Sequence, residues 1–509
     1  MSLRRLLQIL LTGFVGQGLT VLTQLLVPPF FFKFYPSGIE TYGEWLALTA
    51  AVSYLNTLNY GIQTYASNQI TILYNGGDLP GARTIQASAF RLLLLIASVF
   101  SIGGLIVFVL PVAGWLRLHH VTPSAAAVTL YLIILQISGN MFLSLLTNSY
   151  MAVGLLHRGN YISSAQRLLM ILSMAAAIFF RASFPVLAGL QLASYLVFLL
   201  FALVDLRRIA PALVPSLSAG SWSTVRAILK PSGHFGLISI AGFLTWQGPI
   251  LVIQRVMGPG TVALFGVVRV VFQMSRQLLS MASSVFAQDI TLMVGRQDWP
   301  RLRRLYDLSE RLVLFLIPVV SIGSLLMCPL LFTVWLHKRH LYQPELCFLM
   351  ALVSAVLGLK EHKTQFQSSS NEHEELSTFI LIGYSVMLAV AVPVMHRFGL
   401  PGFIVTWLTW EIIQTAGVVR LNTRLFPVEY QFGKGLLWRF CGFIVVAFAA
   451  VAWPALREAH WSLPVGVAAA VGTSLLLAAA AWPTFQMGEL VQILRERIQR
   501  RRLQTAEPV

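Results

Sequence analysis

Charged residues are scarce in this sequence, and acidic ones are the scarcest. Only 11 % of the 509 residues are Asp, Glu, Lys or Arg, whereas 57 % are hydrophobic, and the mean hydropathy is +0.74. Soluble domains carry about 25 % charged residues, because that share is needed to cover their surface. The composition therefore excludes a soluble globular protein and indicates an integral membrane protein.

Cysteine is also nearly absent. Cys328, Cys347 and Cys441 each lie in or beside an apolar segment, without the spacing of a disulfide framework or a metal site. The histidines fall in loops or at segment ends, outside the helical setting of a metal centre. We therefore expect the cysteines to be packing residues, and we expect neither a metal nor a cofactor.

Long loops are missing as well. The predicted outer loops are short, and they carry the acidic residues Glu40, Glu345 and Glu458 singly. A membrane enzyme that transfers or polymerises sugars usually needs a sizeable outer loop or a pair of acidic residues for acid–base chemistry. We therefore expect that the protein is not an enzyme.

The sequence does contain many apolar runs of about 20 residues, which is the length that crosses a bilayer as a helix. They predict an all-α polytopic membrane protein with about 14 transmembrane helices. The predicted spans are 7–33, 43–70, 89–113, 125–151, 161–180, 184–206, 233–257, 261–293, 311–336, 344–366, 377–396, 401–421, 435–454 and 464–484.

Basic residues outnumber acidic ones by 36 to 19, which gives a formal net charge of +17. If the N-terminus is cytoplasmic, most of them fall in inner segments, among them Arg167, Lys360 and Lys363. This asymmetry follows the positive-inside rule and predicts that both termini are cytoplasmic. The charge therefore indicates topology and attraction to anionic lipid, and we expect no nucleic-acid partner.

A pattern in the first half of the chain recurs about 220 residues later and predicts two parallel six-helix repeats. The matched pairs are Ile70 and Ile290, Asp78 and Asp298, Arg91 and Arg311, and Trp115 and Trp335. Upstream, Tyr42-Gly43 corresponds to Phe265-Gly266. The predicted parts are an N-lobe at 1–206 (spans 1–6), a cytoplasmic linker at 207–232, a C-lobe at 233–421 (spans 7–12), spans 13 and 14 at 435–484, and a basic cytoplasmic tail at 485–509.

One predicted span carries two arginines in its middle. Arg269, Gln273 and Arg276 are spaced by four and three residues, so they share one face of a helix. Charged groups inside a span usually face a polar cavity, and guanidinium binds phosphate in a bidentate way. The stripe predicts a site for an anionic ligand; the alternative is that the arginines pair with Glu411 or Glu44, or extend to the cytoplasmic interface.

Amides inside other spans are further candidates for a cavity lining. Each set shares a helix face or lies at one end of a span, and each has the alternative role of joining helices by hydrogen bonds. The candidates are Gln247, Gln254 and Arg255 in span 7, where Arg255 has the alternative of simply ending the helix, then Gln17 and Gln24 in span 1, and Asn56, Asn59 and Gln63 in span 2.

Two carboxylates are candidates for coupling transport to an ion gradient. Glu411 lies well inside span 12, where it could take up and release a proton or act as the fixed counterion of an arginine. Glu44 lies at the mouth of span 2, where an interfacial role is the favoured interpretation. The tail from Glu489 to Arg502 is an amphipathic basic segment that we expect to lie on the membrane surface.

The first hundred residues resemble the polysaccharide-exporter branch of the multidrug/oligosaccharidyl-lipid/polysaccharide (MOP) exporter superfamily. The resemblance rests on Tyr42-Gly43 after the first outer loop, on Asn59-Tyr60-Gly61-Ile62 in span 2, and on the segments VPPFFFKFYP and YNGGD. It implies MATE-like lobes around a central cavity and a flippase of the O-antigen (Wzx-like) type in a bacterial inner membrane.

The resemblance also implies a substrate and an energy source. The expected substrate is a polyprenyl-pyrophosphate-linked oligosaccharide that serves lipopolysaccharide or other polysaccharide biosynthesis, with Arg269 and Arg276 holding its pyrophosphate. Coupling to H⁺ or Na⁺ is expected, as is a monomer that associates with membrane lipids and polysaccharide assembly proteins. Because span 1 has no carboxylate, the sequence departs from drug-exporting relatives. The alternatives are a cation-coupled multidrug exporter and a lipid II flippase.

Overall fold

The protein is helical in the residues that the structure describes. The computed structural model describes residues 3–284, 286, 290, 293–294, 297–370, 374–431, 433–456 and 463–489. The helices are α1 Leu3–Phe34, α2 Gly38–Ser53, α3 Asn56–Asn75, α4 Leu79–Gly104, α5 Val112–Trp115, α6 Pro123–Ala152, α7 Leu156–Phe179, α8 Phe184–Ile209, α9 Trp222–Trp246, α10 Gly248–Met257, α11 Pro259–Ser284, α12 Trp299–Val334, α13 Pro344–Ser369, α14 Glu374–Arg424, α15 Gly435–Leu456 and α16 Leu463–Thr484. Nine helices within these ranges are long and apolar enough to cross a membrane, as in a multi-pass membrane protein.

Each predicted span overlaps a helix, but several boundaries differ. The predicted span 43–70 is divided at Tyr54 and Leu55 into α2 and α3, and the span 233–257 is divided at Gln247 into α9 and α10. Helix α9 begins inside the predicted linker, because the Ser221 hydroxyl caps it by accepting a hydrogen bond from the backbone N–H of Thr224 at 3.1 Å. The number of 14 crossings stays a prediction.

Helix α14 contains both predicted spans 377–396 and 401–421, separated by a reversal at Gly399. Gly399 has φ 64° and ψ −156°, a backbone conformation that only glycine adopts without strain, and Pro401 follows it. The two ends of α14 meet, since the Arg424 guanidinium donates a hydrogen bond to the Glu375 carboxylate at 3.0 Å. Helix α14 is therefore a helical hairpin whose ends lie at one side of the membrane.

The repeated loop motif has the same local structure in both halves of the sequence. Asp78 caps α4 by accepting from the backbone N–H of Gly81 at 2.8 Å, and Asp298 caps α12 by accepting from that of Arg301 at 3.3 Å. The residue before each aspartate has a positive φ, 87° at Gly77 and 54° at Gln297. The repeated loop motif therefore forms the N-terminal cap of a helix in both halves of the sequence.

The tryptophan at the far end of each repeat unit also marks one local structure. Trp115 is the last residue of α5, and Trp335 directly follows α12. Two residues after each tryptophan the backbone enters the left-handed region, with φ 49° at Arg117 and 53° at His337. Neither residue is glycine, and Arg181 and Gln486 adopt the same conformation after other helices, so the two turns are alike but not specific to the repeat.

The chain divides into two compact units, Met1–Val267 and Val268–Val509, and the division falls within α11. In the first unit, α6 packs against α3, α4, α7 and α8. In the second, α13 packs against α12 and α14, while α12 also contacts α15 and α16. The predicted lobe limits at 1–206 and 233–421 stay a prediction, and the predicted tail lies outside the described residues from 490 onward.

The glycines of the repeated pairs Tyr42-Gly43 and Phe265-Gly266 pack closely against neighbouring residues within the first unit. A Cβ added at Gly43 would meet the backbone of Pro259 at the start of α11. A Cβ added at Gly266 would meet the Leu46 side chain and lie 3.8 Å from the Tyr42 ring. Tyr42-Gly43 and Phe265-Gly266 therefore form one close crossing of α2 with the first turns of α11, which small residues make possible.

We predict that Gly43→Ala destabilises the protein by about 1–3 kcal/mol, because the added methyl group overlaps backbone atoms that cannot move independently. Thermal unfolding of the purified protein in detergent measures the effect. The matched control is Gly103→Ala in α4, where an added Cβ has open space. Equal stability of the two variants would contradict the close crossing.

Candidate functional site

Helix α11 presents the predicted polar stripe, and all three of its side chains are partly buried. Arg269, Gln273 and Arg276 lie on the part of α11 that belongs to the second unit. The Arg276 guanidinium donates to the carboxylate of Glu361 on α13, and the two side chains are 19 % and 21 % exposed. The alternative partners named from the sequence, Glu411 and Glu44, hold other groups. Arg276 is therefore paired, but by a carboxylate that the sequence did not single out, and the pair remains partly open.

Glu411 is fully buried and forms the centre of a hydrogen-bond network. Its carboxylate accepts from the Lys360 ammonium, from the Tyr384 hydroxyl at 2.5 Å and from the Trp407 indole N–H at 2.9 Å. Lys360 also donates to Tyr384 at 2.5 Å and to the Gln414 amide oxygen at 3.0 Å. The counterion of Glu411 is therefore a lysine on α13, whereas the sequence led us to consider an arginine.

A second buried pair lies one turn further along α13. The Lys363 ammonium is fully buried and donates to the Glu310 carboxylate and, at 2.8 Å, to the Tyr306 hydroxyl, both on α12. The Lys363 carbonyl accepts from the Asn422 side chain of α14 at 3.0 Å. Because both charges are hydrogen-bonded, this pair also satisfies the condition under which charge can be buried.

Four consecutive residues of α13, Lys360 to Lys363, therefore contact three different helices. Lys360 contacts α14, Glu361 contacts α11, and Lys363 contacts α12. His362 is also buried, with its ring nitrogen 2.9 Å from the Ser309 hydroxyl of α12. Successive residues point about 100° apart around a helix, so the segment distributes its charges around the helix axis.

The sequence analysis missed this cluster because it assigned Lys360 and Lys363 to the inner surface. The signal was available, since the predicted span 344–366 includes both residues. Arg167 was assigned to the inner surface in the same way, but it lies near the middle of α7. There its guanidinium donates to the Gly16 carbonyl at 2.6 Å and to the Thr20 hydroxyl at 2.5 Å, both on α1.

In the first unit, Glu44 and Gln254 hold the loop that follows α5. The buried Glu44 carboxylate accepts from the backbone N–H groups of His119 at 2.5 Å and His120 at 3.0 Å. The Gln254 amide donates to the Leu116 carbonyl at 2.5 Å. This geometry is compatible with the interpretation that Glu44 has a role at the end of its span, near the membrane interface. Gln254 joins a helix to the same loop.

The remaining candidate residues lie in different settings. Gln63 is buried and donates to the Met141 carbonyl at 2.8 Å, whereas Asn56 and Arg255 are exposed. Gln247 occupies the break between α9 and α10, and Arg255 lies in the last turn of α10. Within the described part of the chain, the amide oxygen of Gln24 is buried without a hydrogen-bond partner. Gln17 and Asn59 lie in α1 and α3, but their side chains are outside the described part.

We predict that Lys360→Met destabilises the protein by about 3–5 kcal/mol, because it leaves the Glu411 carboxylate buried without a counterion. The double variant Lys360→Met/Glu411→Leu should recover most of that loss, since it removes both charges together. Thermal unfolding in detergent is the measurement, and Lys434→Met is the control because Lys434 is exposed. A double variant as unstable as the single one would show that the pair is not the source of the effect.

Comparisons with known proteins show the fold. No protein-family model matches the sequence, and no curated protein matches it. Among solved structures, the chain is similar to an inward-facing MATE family transporter of the MOP superfamily, with a TM-score of 0.63 and 14 % identity over 81 % of this chain and 95 % of that one. It is similar to the lipid II flippase MurJ in an inward closed conformation, with a TM-score of 0.64 and 9 % identity over 93 % and 99 % of the two chains.

A third similar structure is that of the MATE multidrug transporter DinF-BH. Its TM-score is 0.61, with 14 % identity over 83 % of this chain and 96 % of that one. These neighbours are transporters and not enzymes, and each is matched over nearly its whole length. The described helices therefore have the fold of MOP-superfamily transporters.

Proposed function

We propose that the protein is a flippase that moves a polyprenyl-pyrophosphate-linked oligosaccharide across the bacterial inner membrane by alternating access. The observation that carries the proposal is the polar stripe of α11, in which Arg269, Gln273 and Arg276 share one face and are partly buried. The fold is that of known MOP transporters, which supports transport as the activity. The resemblance of the first hundred residues to polysaccharide exporters supports the choice of cargo.

The pairing of Arg276 with Glu361 suits the release as well as the binding of an anion. Both side chains are about one-fifth exposed, so a ligand can reach the pair without unfolding the helices. A pyrophosphate offers several oxygens and more negative charge than one carboxylate, and guanidinium binds it in a bidentate way. Glu361 would then act as the competitor that returns the site to its neutral state when the cargo leaves.

A cation-coupled multidrug exporter is the first alternative, and the buried charges weigh against it. A cavity for cationic drugs needs carboxylates that are open to the ligand. In the second unit as described, the buried carboxylates Glu310 and Glu411 are paired with Lys363 and Lys360, and the partly buried Glu361 is paired with Arg276. The MATE neighbours share the fold, but this arrangement leaves an anionic cargo as the better match.

A lipid II flippase is the second alternative, and its cargo has the same pyrophosphate chemistry. MurJ is among the similar structures, at 9 % identity. The α11 stripe would serve either cargo, so only the sugar distinguishes the two functions. We favour the polysaccharide precursor because the sequence motifs resemble that branch of the superfamily.

Deletion of the gene followed by mass spectrometry of lipid extracts tests the proposal. We expect a lipid-linked oligosaccharide to accumulate and the surface polysaccharide to be lost. Accumulation of lipid II would support the second alternative. Increased drug sensitivity with no accumulated intermediate would overturn the proposal in favour of the exporter.

We predict that Arg269→Gln and Arg276→Gln each reduce transport at least tenfold when they replace the natural protein, because each removes a charge-assisted phosphate contact of about 1.5–3 kcal/mol. The measurement is the amount of accumulated intermediate in complemented deletion cells. Arg276→Gln also leaves Glu361 without its partner, so Arg276→Gln/Glu361→Gln serves as the folded comparison. The control is Arg226→Gln, whose side chain is exposed on α9. Normal transport by the double variant would contradict a role of Arg276 in binding.

The Lys360–Glu411 pair provides a test of ion coupling, which we propose to involve H⁺ or Na⁺. If Glu411 exchanges a proton or ion during the cycle, Lys360→Met/Glu411→Gln should be folded but should lose transport driven by a gradient. If Glu411 is only a counterion, the same variant should retain transport, because its partner charge has been removed as well. Substrate flux into proteoliposomes with an imposed pH or Na⁺ gradient distinguishes the two outcomes.

A further inference from the structure

A cavity of about 630 Å³ lies in the second unit, and no residue of the α11 stripe is among those that line it. It is formed by Ile290 and Val294, the start of α12, the end of α13 and the two ends of α14. Its volume falls within the usual range for small-ligand sites, about 300–1,000 Å³. Because the two ends of α14 meet here, the cavity lies at one membrane surface, where lipid headgroups are found.

The floor of the cavity combines apolar and polar side chains above a buried aromatic cluster. Phe366 and Phe426 are 2 % and 3 % exposed and pack on the ring of Tyr306, with ring centroids 4.7 and 5.6 Å from it. Trp299, Leu421 and Leu425 are partly exposed and line the cavity, as do the polar side chains of Gln367 and Ser370. The partly exposed apolar side chains therefore offer contacts to part of a hydrocarbon chain, beside groups that can form hydrogen bonds.

The rim of the cavity carries one positive and one negative side chain that are paired with each other. The Arg424 guanidinium and the Glu375 carboxylate are 3.0 Å apart, and the two side chains are 59 % and 69 % exposed. An ion pair as exposed as this contributes little to stability, so a ligand can separate the two groups at low cost. A ligand that satisfies both must itself carry an anion and a cation a few bonds apart.

We propose that this cavity binds a phospholipid whose headgroup is a phosphate ester of an alcohol that also carries a primary amine, as in phosphatidylethanolamine. The phosphate is held by the Arg424 guanidinium, and the ammonium donates hydrogen bonds to the Glu375 carboxylate. Part of one acyl chain lies against the partly exposed side chains of Trp299, Leu421 and Leu425. A choline headgroup has the same charges but no N–H donor, and a glycerol headgroup has no cation, so both fit less well.

Native mass spectrometry of the purified full-length protein with added phosphatidylethanolamine, phosphatidylcholine or phosphatidylglycerol tests the proposal. We expect the amine lipid to be retained at about tenfold lower concentration than the other two, the factor that one charge-assisted hydrogen bond supplies. Arg424→Gln and Glu375→Gln should each abolish the preference. Arg420→Gln should keep it, since Arg420 is exposed one turn away and does not line the cavity.

Two further measurements distinguish the contribution of the lipid headgroup from that of the acyl chain. Leu425→Trp should weaken the retention of all three lipids by filling the floor, with an unchanged melting temperature as evidence of folding. Soluble glycerophosphoethanolamine should fail to compete at equal concentration, because it lacks the chain. Equal retention of phosphatidylglycerol, equal loss in Arg420→Gln, or competition by the soluble headgroup at the same concentration as the lipid would each overturn the proposal.

Discussion

Charge neutrality inside a packed group of helices is the constraint on which the second unit depends. A buried charge in a low-dielectric interior is costly unless an opposite charge and hydrogen bonds accompany it. Helix α13 meets this requirement three times within one turn, through Lys360 with Glu411, Glu361 with Arg276, and Lys363 with Glu310. The helices α12 and α14 are thereby fixed to α13 by groups that cannot separate without leaving a buried charge unpaired, whereas α11 is held through the partly exposed pair.

The three pairs differ in how far water reaches them. Lys363 is fully buried and Lys360 nearly so, whereas Arg276 and Glu361 are each about one-fifth exposed. The Lys363–Glu310 and Lys360–Glu411 pairs are therefore suited to holding helices together, or to changing charge only in a concerted step. In the Arg276–Glu361 pair, an incoming anion can compete with the carboxylate. The degree of exposure therefore distinguishes the structural charges from the candidate binding charges.

The first unit uses its buried polar groups differently. Its Glu44 carboxylate accepts from backbone N–H groups of a loop, and Asp205 accepts from the Arg158 guanidinium at 2.9 and 2.6 Å and from Tyr150 at 2.6 Å. Arg167 donates to a carbonyl and a hydroxyl of α1. Each arrangement joins neighbouring segments. The two halves of the sequence share helix starts and turns, as the matched caps at Asp78 and Asp298 show, but they differ in electrostatics.

The sequence by itself determined the membrane class, the approximate positions of the helices, the recurring loop motif and the arginine stripe. These depend on apolar length, on local turn chemistry and on the spacing of residues along one helix, and all three can be read within a short segment. Only the tertiary structure decided that Arg276 pairs with Glu361, that Lys360 and Lys363 are buried, and that α14 brings Glu375 to Arg424. Those contacts join residues 49 to 85 positions apart in the chain. The sequence near the end of an apolar run does not show whether water or another helix surrounds a charged residue there.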